Sequence, residues 1–212
     1  FAAEMDIQQA NEMFGMDFVI FRPHNVYGER QNLGDRYRNV IGIFMNKVLE
    51  NEPMTVYGDG LQTRAFSYIT DVAPIIAHSV ERPEVFGQIV NVGADQPYTI
   101  LEMAEAVSRA MGVTPHVVHL EARQEVKHAW TDHTVLNTHF GDLRQGVTLE
   151  EGLAKMARWA RTAGPFQRSL FEGIEISRGL YSFWQDAIRT PEADAHTAPD
   201  RQPVARPSLL VA

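Results

Sequence analysis

Apolar positions recur along the chain with two periods, and each period marks a kind of element. The opening stretch, Phe1-Ala2-Ala3-Glu4-Met5-Asp6-Ile7-Gln8-Gln9-Ala10-Asn11-Glu12-Met13-Phe14-Gly15, reads as a helix already under way, with Gly15 as its C-terminal stop and no N-cap in front. Phe18-Val19-Ile20-Phe21 follows, an unbroken apolar run that suits a strand covered on both faces, as in a parallel sheet. The run breaks into Arg22-Pro23-His24-Asn25-Val26-Tyr27-Gly28, a loop carrying a cation, an amide, a phenol and a glycine. Because α/β folds bind ligands beyond the carboxyl ends of such strands, this junction is the first candidate ligand edge.

Val40, Ile43, Phe44 and Val48 keep a helical rhythm that predicts a helix from Tyr37 to Glu50, and Met54-Thr55-Val56-Tyr57 predicts a short strand before the Gly58-Asp59-Gly60 turn. Arg64 to Ile69 reads as extended, and Thr70-Asp71 as the start of a helix running to about Glu81. Gln88 to Gly93 is the next strand. Thr99-Ile100-Leu101-Glu102 and Thr148-Leu149-Glu150-Glu151 are capping boxes, each opening a helix. Apolar stripes at Ile100, Ala104, Val107 and Met111, and at Leu149, Leu153, Met156 and Ala160, support both; Gly112 and Gly164-Pro165 supply the stops. From Pro191 onward the last 22 residues hold four prolines and almost no spaced apolar residues before Leu209, which predicts a disordered tail. Alternating strands and helices make the class α/β, with a later part that is richer in helix and expected to form a smaller lobe.

Composition narrows the function classes. The chain has 212 residues, 44% hydrophobic and 22% charged, as in an ordinary globular protein. Its net charge of -8 and lack of any extended basic patch argue against nucleic acid and membrane surfaces as partners. There is no cysteine, no apolar run of about 18 residues and no signal-like start, which fits a cytoplasmic protein.

Absent motifs limit the chemistry. No Gly-x-Gly-x-x-Gly or Gly-x-x-Gly-x-x-Gly is present to seat a dinucleotide pyrophosphate on a helix N-terminus. No Tyr-x-x-x-Lys pair occurs either, since the residues four places after the tyrosines are Gln31, Ile41, Leu61, Val72, Glu102 and Gln185. His116, His119, His128 and His133 lack metal-ligand spacing and read as surface or loop histidines, so no metal is expected. Three features remain open between bland and functional readings. Arg64, after the Gly58-Asp59-Gly60 turn, is either a solvated hairpin cation or an anion clamp that grips phosphate bidentately. Asn25 either bonds its own turn or faces ligand. Arg123 and Glu125 either form an exposed ion-pair strip or meet phosphate and a sugar hydroxyl.

Four segments together carry a resemblance: Arg22-Pro23-His24-Asn25-Val26-Tyr27-Gly28, Gly58-Asp59-Gly60-Leu61-Gln62-Thr63-Arg64-Ala65-Phe66-Ser67-Tyr68-Ile69-Thr70-Asp71, Asn91-Val92-Gly93, and Val126-Lys127-His128-Ala129-Trp130-Thr131-Asp132. In this order they resemble the NAD-dependent sugar-nucleotide epimerase/dehydratase family of extended short-chain dehydrogenase/reductases, and its UDP-glucose 4-epimerase-like members in particular. The resemblance runs from residue 1 to about 190. It implies the C-terminal part of a Rossmann-like doubly wound parallel sheet plus a smaller, helix-rich substrate-binding lobe. Residues 1–36 would end the NAD-binding domain, 37–190 would form the lobe with returning Rossmann elements, and 191–212 the tail.

The family reaction is a transient oxidation of the sugar by NAD followed by re-reduction, with a Tyr-x-x-x-Lys pair moving the proton. By resemblance that pair lies just upstream of Phe1, so no catalytic residue is expected in this chain, and alone it should be inactive. The resemblance places Pro23 and His24 near the nicotinamide edge of NAD. It assigns the nucleotide sugar, a UDP-hexose by preference, to Asn25, Asn39, Arg64, Phe66, Arg123 and Glu125, and it implies a homodimer for the full-length protein. A 4,6-dehydratase or decarboxylase of the same family, and a non-catalytic nucleotide-sugar-binding module, are the alternatives.

Overall fold

The computed structural model describes residues 1–35 and 39–167. In chain order the elements are α1 (Ala2–Phe14), β1 (Ile20–Pro23), β2 (Val26–Tyr27), α2 (Val40–Leu49), β3 (Met54–Tyr57), β4 (Thr63–Ala65), β5 (Ser67–Tyr68), α3 (Ala73–His78), β6 (Ile89–Val92), β7 (Pro97–Thr99), α4 (Ile100–Met111), β8 (Val117–Leu120), α5 (Thr134–Phe140) and α6 (Leu149–Ala163). α1 stops where the glycine predicts: Gly15, at φ 65°, turns its N–H back onto the Asn11 carbonyl. None of its residues is buried, and Glu4 in its first turn is held to Arg22 of β1 at 2.5 Å.

The class is α/β with parallel pairing, as expected of part of a doubly wound sheet, and among the described residues the strands form four two-stranded pairs. β1 with β6, β2 with β5, and β3 with β8 are parallel, while β4 with β7 is antiparallel. Parallel partners need a long crossover between them, so each parallel pair joins segments far apart in sequence. Between β4 and β5 the single residue Phe66 carries the chain from the antiparallel pair into a parallel one. Nor is β1 covered on both faces within these residues: Ile20 is buried, Phe21 half-buried, and Arg22 and Pro23 exposed.

Two apolar clusters hold these pairs. The larger joins α2, β3, α4 and α6 through Ile41, Phe44, Met45, Met54, Val56, Met103, Val107, Leu153 and Met156. The smaller packs Val72, Ile75, Val90, Val92, Leu136 and Phe140, with Phe21 against it. The helix-rich part carries the larger of the two clusters. Both capping boxes form as predicted, with Thr99 and Thr148 accepting from the Glu102 and Glu151 N–H groups. Gly152 lets α6 lie close over β2, because a Cβ there would sit 2.2 Å from the Tyr27 hydroxyl.

Local chemistry sets the start of two helices. α2 starts at Val40, where the Asn39 side chain accepts the Ile41 N–H and caps it; Tyr37, the expected start, lies outside the described residues. The helix expected over 70–81 is instead a 3-10 turn (Ile69–Asp71), α3 and a second 3-10 turn (Ser79–Glu81). Pro74 in the first turn of α3 has no N–H to continue a helix from Thr70. β7, β8 and α5 were not expected. The tail from Pro191 lies outside the described residues, as does the lobe beyond residue 167.

Asp71 opens no helix. Its carboxylate accepts the backbone N–H groups of Gln145, Gly146 and Val147 at 2.9, 3.0 and 2.9 Å, fixing the approach to α6. Removing an acceptor shared by three donors costs about 1–3 kcal/mol. Asp71→Ala should lose that much in urea unfolding, and an unchanged midpoint would show that the loop before α6 is held by other contacts.

Candidate functional site

The carboxyl end of β1 is the centre of the site. Beyond the strand, His24 N donates to the Val92 carbonyl at 3.1 Å, extending the ladder with β6 by one step. The His24 carbonyl then accepts the buried Ser67 hydroxyl at 3.1 Å, the Asn25 carbonyl accepts Ser67 N at 3.2 Å, and Ala94 N donates back to the same hydroxyl at 2.9 Å. Asn25 adopts φ 45°, a left-handed conformation that asparagine tolerates better than most residues. Its Nδ2 donates to the Ala65 carbonyl at 2.9 Å, which sets the Pro23–Asn25 turn next to Arg64.

Arg64 is engaged on both terminal nitrogens. One donates to the Thr63 and Lys127 carbonyls at 2.8 and 3.3 Å; the other meets Glu125 Oε2 at 3.0 Å. The other Glu125 oxygen accepts from Gln62 at 3.3 Å, and Thr63 meets His128 Nδ1 at 3.0 Å, so the 125–128 segment lies along the edge of β4. The Arg64 and Glu125 side chains remain 19% and 38% exposed, within reach of a ligand. The ion-pair strip of Arg123 with Glu125 does not form, since Glu125 turns to Arg64 and the Arg123 guanidinium lies 3.2 Å from the centre of the Tyr57 ring.

Pro23, His24, Asn25, Arg64 and Glu125 thus line one edge. The other expected residues stand apart. Asn39 uses its oxygen to cap α2 and donates its Nδ2 to the Val26 carbonyl at 2.8 Å. Phe66 is 5% exposed and belongs to the larger core. Pro23 is exposed and His24 half-buried at this edge, and the sequence holds no glycine-rich strand-to-helix turn of the kind that seats a dinucleotide.

The structure adds a cluster at this edge that the sequence did not reveal. His133, expected at the surface or in a loop, is 5% exposed, and its Nε2 lies 3.0 Å from His24 Nε2. Its Nδ1 lies 2.6 Å from Asp95 Oδ1, and Arg144 donates to the other Asp95 oxygen at 3.1 Å. Burial and the nearby His133 hold the His24 imidazole below its ordinary pKa. For Asp95, burial acts upward, but the hydrogen bonds from His133 and Arg144 outweigh it and hold the carboxyl below its usual range. Gly93 makes room for the His24 ring, since a Cβ there would sit 2.0 Å from Nε2. His133 is 109 residues from His24, and no local spacing signals the pairing. Among the described residues no three His, Cys, Asp or Glu side chains gather as metal ligands, and no helix is long and apolar enough to cross a membrane.

Comparison with known proteins gives consistent findings. Residues 1–93 match the model of the NAD dependent epimerase/dehydratase family. The chain is 28% identical over 153 residues to a UDP-N-acetyl-alpha-D-glucosaminuronate decarboxylase of Bacillus cytotoxicus, covering 69% of this chain and 47% of that protein. It is 30% identical over 141 residues to a dTDP-L-rhamnose 4-epimerase of Burkholderia thailandensis, covering 66% of this chain and 39% of that one. Among solved structures, the Thermus thermophilus UDP-glucose 4-epimerase complex with NAD superposes with a TM-score of 0.65 at 30% identity, over 76% of this chain and 52% of that one. The Thermotoga maritima UDP-glucose 4-epimerase with UDP-glucose gives 0.69 at 25% identity, over 76% and 52%. The chain spans about half the length of the curated relatives it matches.

The lowered pKa of Asp95 fixes a sign. A carboxylate whose pKa is depressed on folding contributes stability above its unfolded pKa, and that contribution is lost as pH falls through the folded value. The difference in unfolding free energy between the wild type and Asp95→Asn should therefore be present near neutrality, begin to shrink below about pH 4 and vanish only as pH falls through the lower folded value. A difference that stays constant with pH would mean that the Asp95 charge contributes nothing.

Proposed function

Because the chain belongs to the NAD-dependent epimerase/dehydratase family, we propose that it is the sugar-nucleotide-binding, C-terminal part of a nucleotide-sugar 4-epimerase whose full-length form uses NAD. The placement in the later half rests on the chain's own motifs: the cofactor-seating glycine turn and the Tyr-x-x-x-Lys pair are absent from its sequence, while the strand-end Asn25 and the Arg64 turn are present. The observation that carries the binding role is the Arg64–Glu125 pair beside Asn25, a partly exposed guanidinium already holding one anionic group at a sheet edge.

In this reading a diphosphate takes the place of Glu125 on Arg64, with Asn25 adjacent, and the freed carboxylate accepts a ribose hydroxyl. Arg123 and Asn39 complete the nucleotide side, Phe66 backs it from the core, and Pro23 and His24 face the nicotinamide. The sugar nucleotide is a UDP-hexose, the full-length protein a cytoplasmic homodimer, and the isolated chain binds without turnover. A nucleotide-sugar decarboxylase is the second reading, favoured by the similarity to the Bacillus cytotoxicus enzyme.

Calorimetric titration of UDP-glucose into the chain tests the site. Charge-assisted hydrogen bonds are worth about 1.5–3 kcal/mol, so Arg64→Ala should weaken binding by about tenfold or more. Equal affinity in the variant, or no binding by the wild type, would overturn the assignment.

A further inference from the structure

We propose that His133 is a positioning residue for the ligand edge: with Asp95 behind it, it holds His24, and through His24 the Pro23–Asn25 turn, by one proton shared between two imidazoles.

The geometry requires an in-plane bond. The two rings are within 10° of parallel with centres 5.2 Å apart, yet their Nε2 atoms are 3.0 Å apart. Rings piled face to face would keep their atoms about 3.5 Å apart or more, so these rings meet head to head along an N–H···N hydrogen bond. Asp95 has one oxygen on Arg144 and the other on His133 Nδ1, which must therefore carry a proton to donate.

The printed contacts need two protons: one on His133 Nδ1 toward Asp95, and one between the two Nε2 atoms. A further proton on His24 would put a charge in a half-buried site, against the direction of its lowered pKa. Without the shared proton, the Nε2 contact becomes two lone pairs facing each other.

The other charged groups here do not replace Asp95. Arg144 already holds one of its oxygens, and the Asp132 carboxylate is turned to the Thr134 N–H and hydroxyl at 2.7 and 2.6 Å. Gly93 leaves the His24 ring room only against its own backbone, and Ser67 ties the His24 and Asn25 carbonyls. A loosened ring is therefore transmitted to the turn that bears Asn25.

The role of that turn in ligand binding rests on the function proposed above; the shared proton does not. In the ¹⁵N-labelled chain, a coupling between the His24 and His133 Nε2 nuclei should report the shared proton. Asp95→Asn, at a solvent-exposed carboxylate, should weaken that coupling, shift the amide signals of His24 and Asn25, and weaken UDP-glucose binding about tenfold. His133→Gln, which keeps a donor and an acceptor, should leave the Asn25 amide and the affinity close to wild type. Imidazoles without that coupling, or an Asn25 amide indifferent to Asp95→Asn, would overturn the proposal. A coupling that is present in a chain that gives no heat with UDP-glucose supports the proton pair and counts against the sugar-nucleotide reading.

Discussion

The architecture turns on a backbone constraint: where a parallel ladder ends, the strand's next N–H and C=O groups must find partners outside it. At the end of β1 one side chain supplies most of them. The Ser67 hydroxyl donates to the His24 carbonyl and accepts from Ala94, while its own N–H serves the Asn25 carbonyl. Because Ser67 is the first residue of β5, this knot draws the loops after β1 and β6 onto the strand that leads from Arg64. The candidate site is assembled by hydrogen-bond satisfaction first, and its chemistry is laid over that frame.

Most side chains at the edge consequently have structural partners. Asn25 and Asn39 donate to main-chain carbonyls, and Arg64 straps the 125–128 segment to β4 as well as meeting Glu125. Asp71 works the same way at longer range, holding three amides just before α6. Such polar groups specify where loops lie, while the two apolar clusters supply the bulk of the driving force.

What could be read from the sequence was local. The capping boxes at Thr99 and Thr148, the Gly15 and Gly112 stops and the strand at Met54 declare themselves within a few residues, and all form. β8 was hidden because only Val117 and Leu120 of its four residues are even half-buried, and its partner β3 lies far upstream. α5 buries only Leu136 and Phe140, too few to show a stripe. Asp71 misled because a carboxylate ahead of a short helix looks like a cap whether it bonds that helix or a loop 74 residues away. The site was legible only through motif resemblance, which names residues but not their present partners. His133 and Asp95 lie outside those motifs, and only folding brings them to His24.

In the proposed site the Arg64–Glu125 contact would also act as a selector among anions. A guanidinium already neutralised by a carboxylate gains little by exchanging it for chloride or another carboxylate, since one weak acceptor replaces a better-placed one. A diphosphate brings more charge and more acceptor oxygens, and can occupy both forks at once. In that proposal the internal carboxylate would set a threshold that abundant monovalent anions fall below, and keep the arginine oriented for a diphosphate.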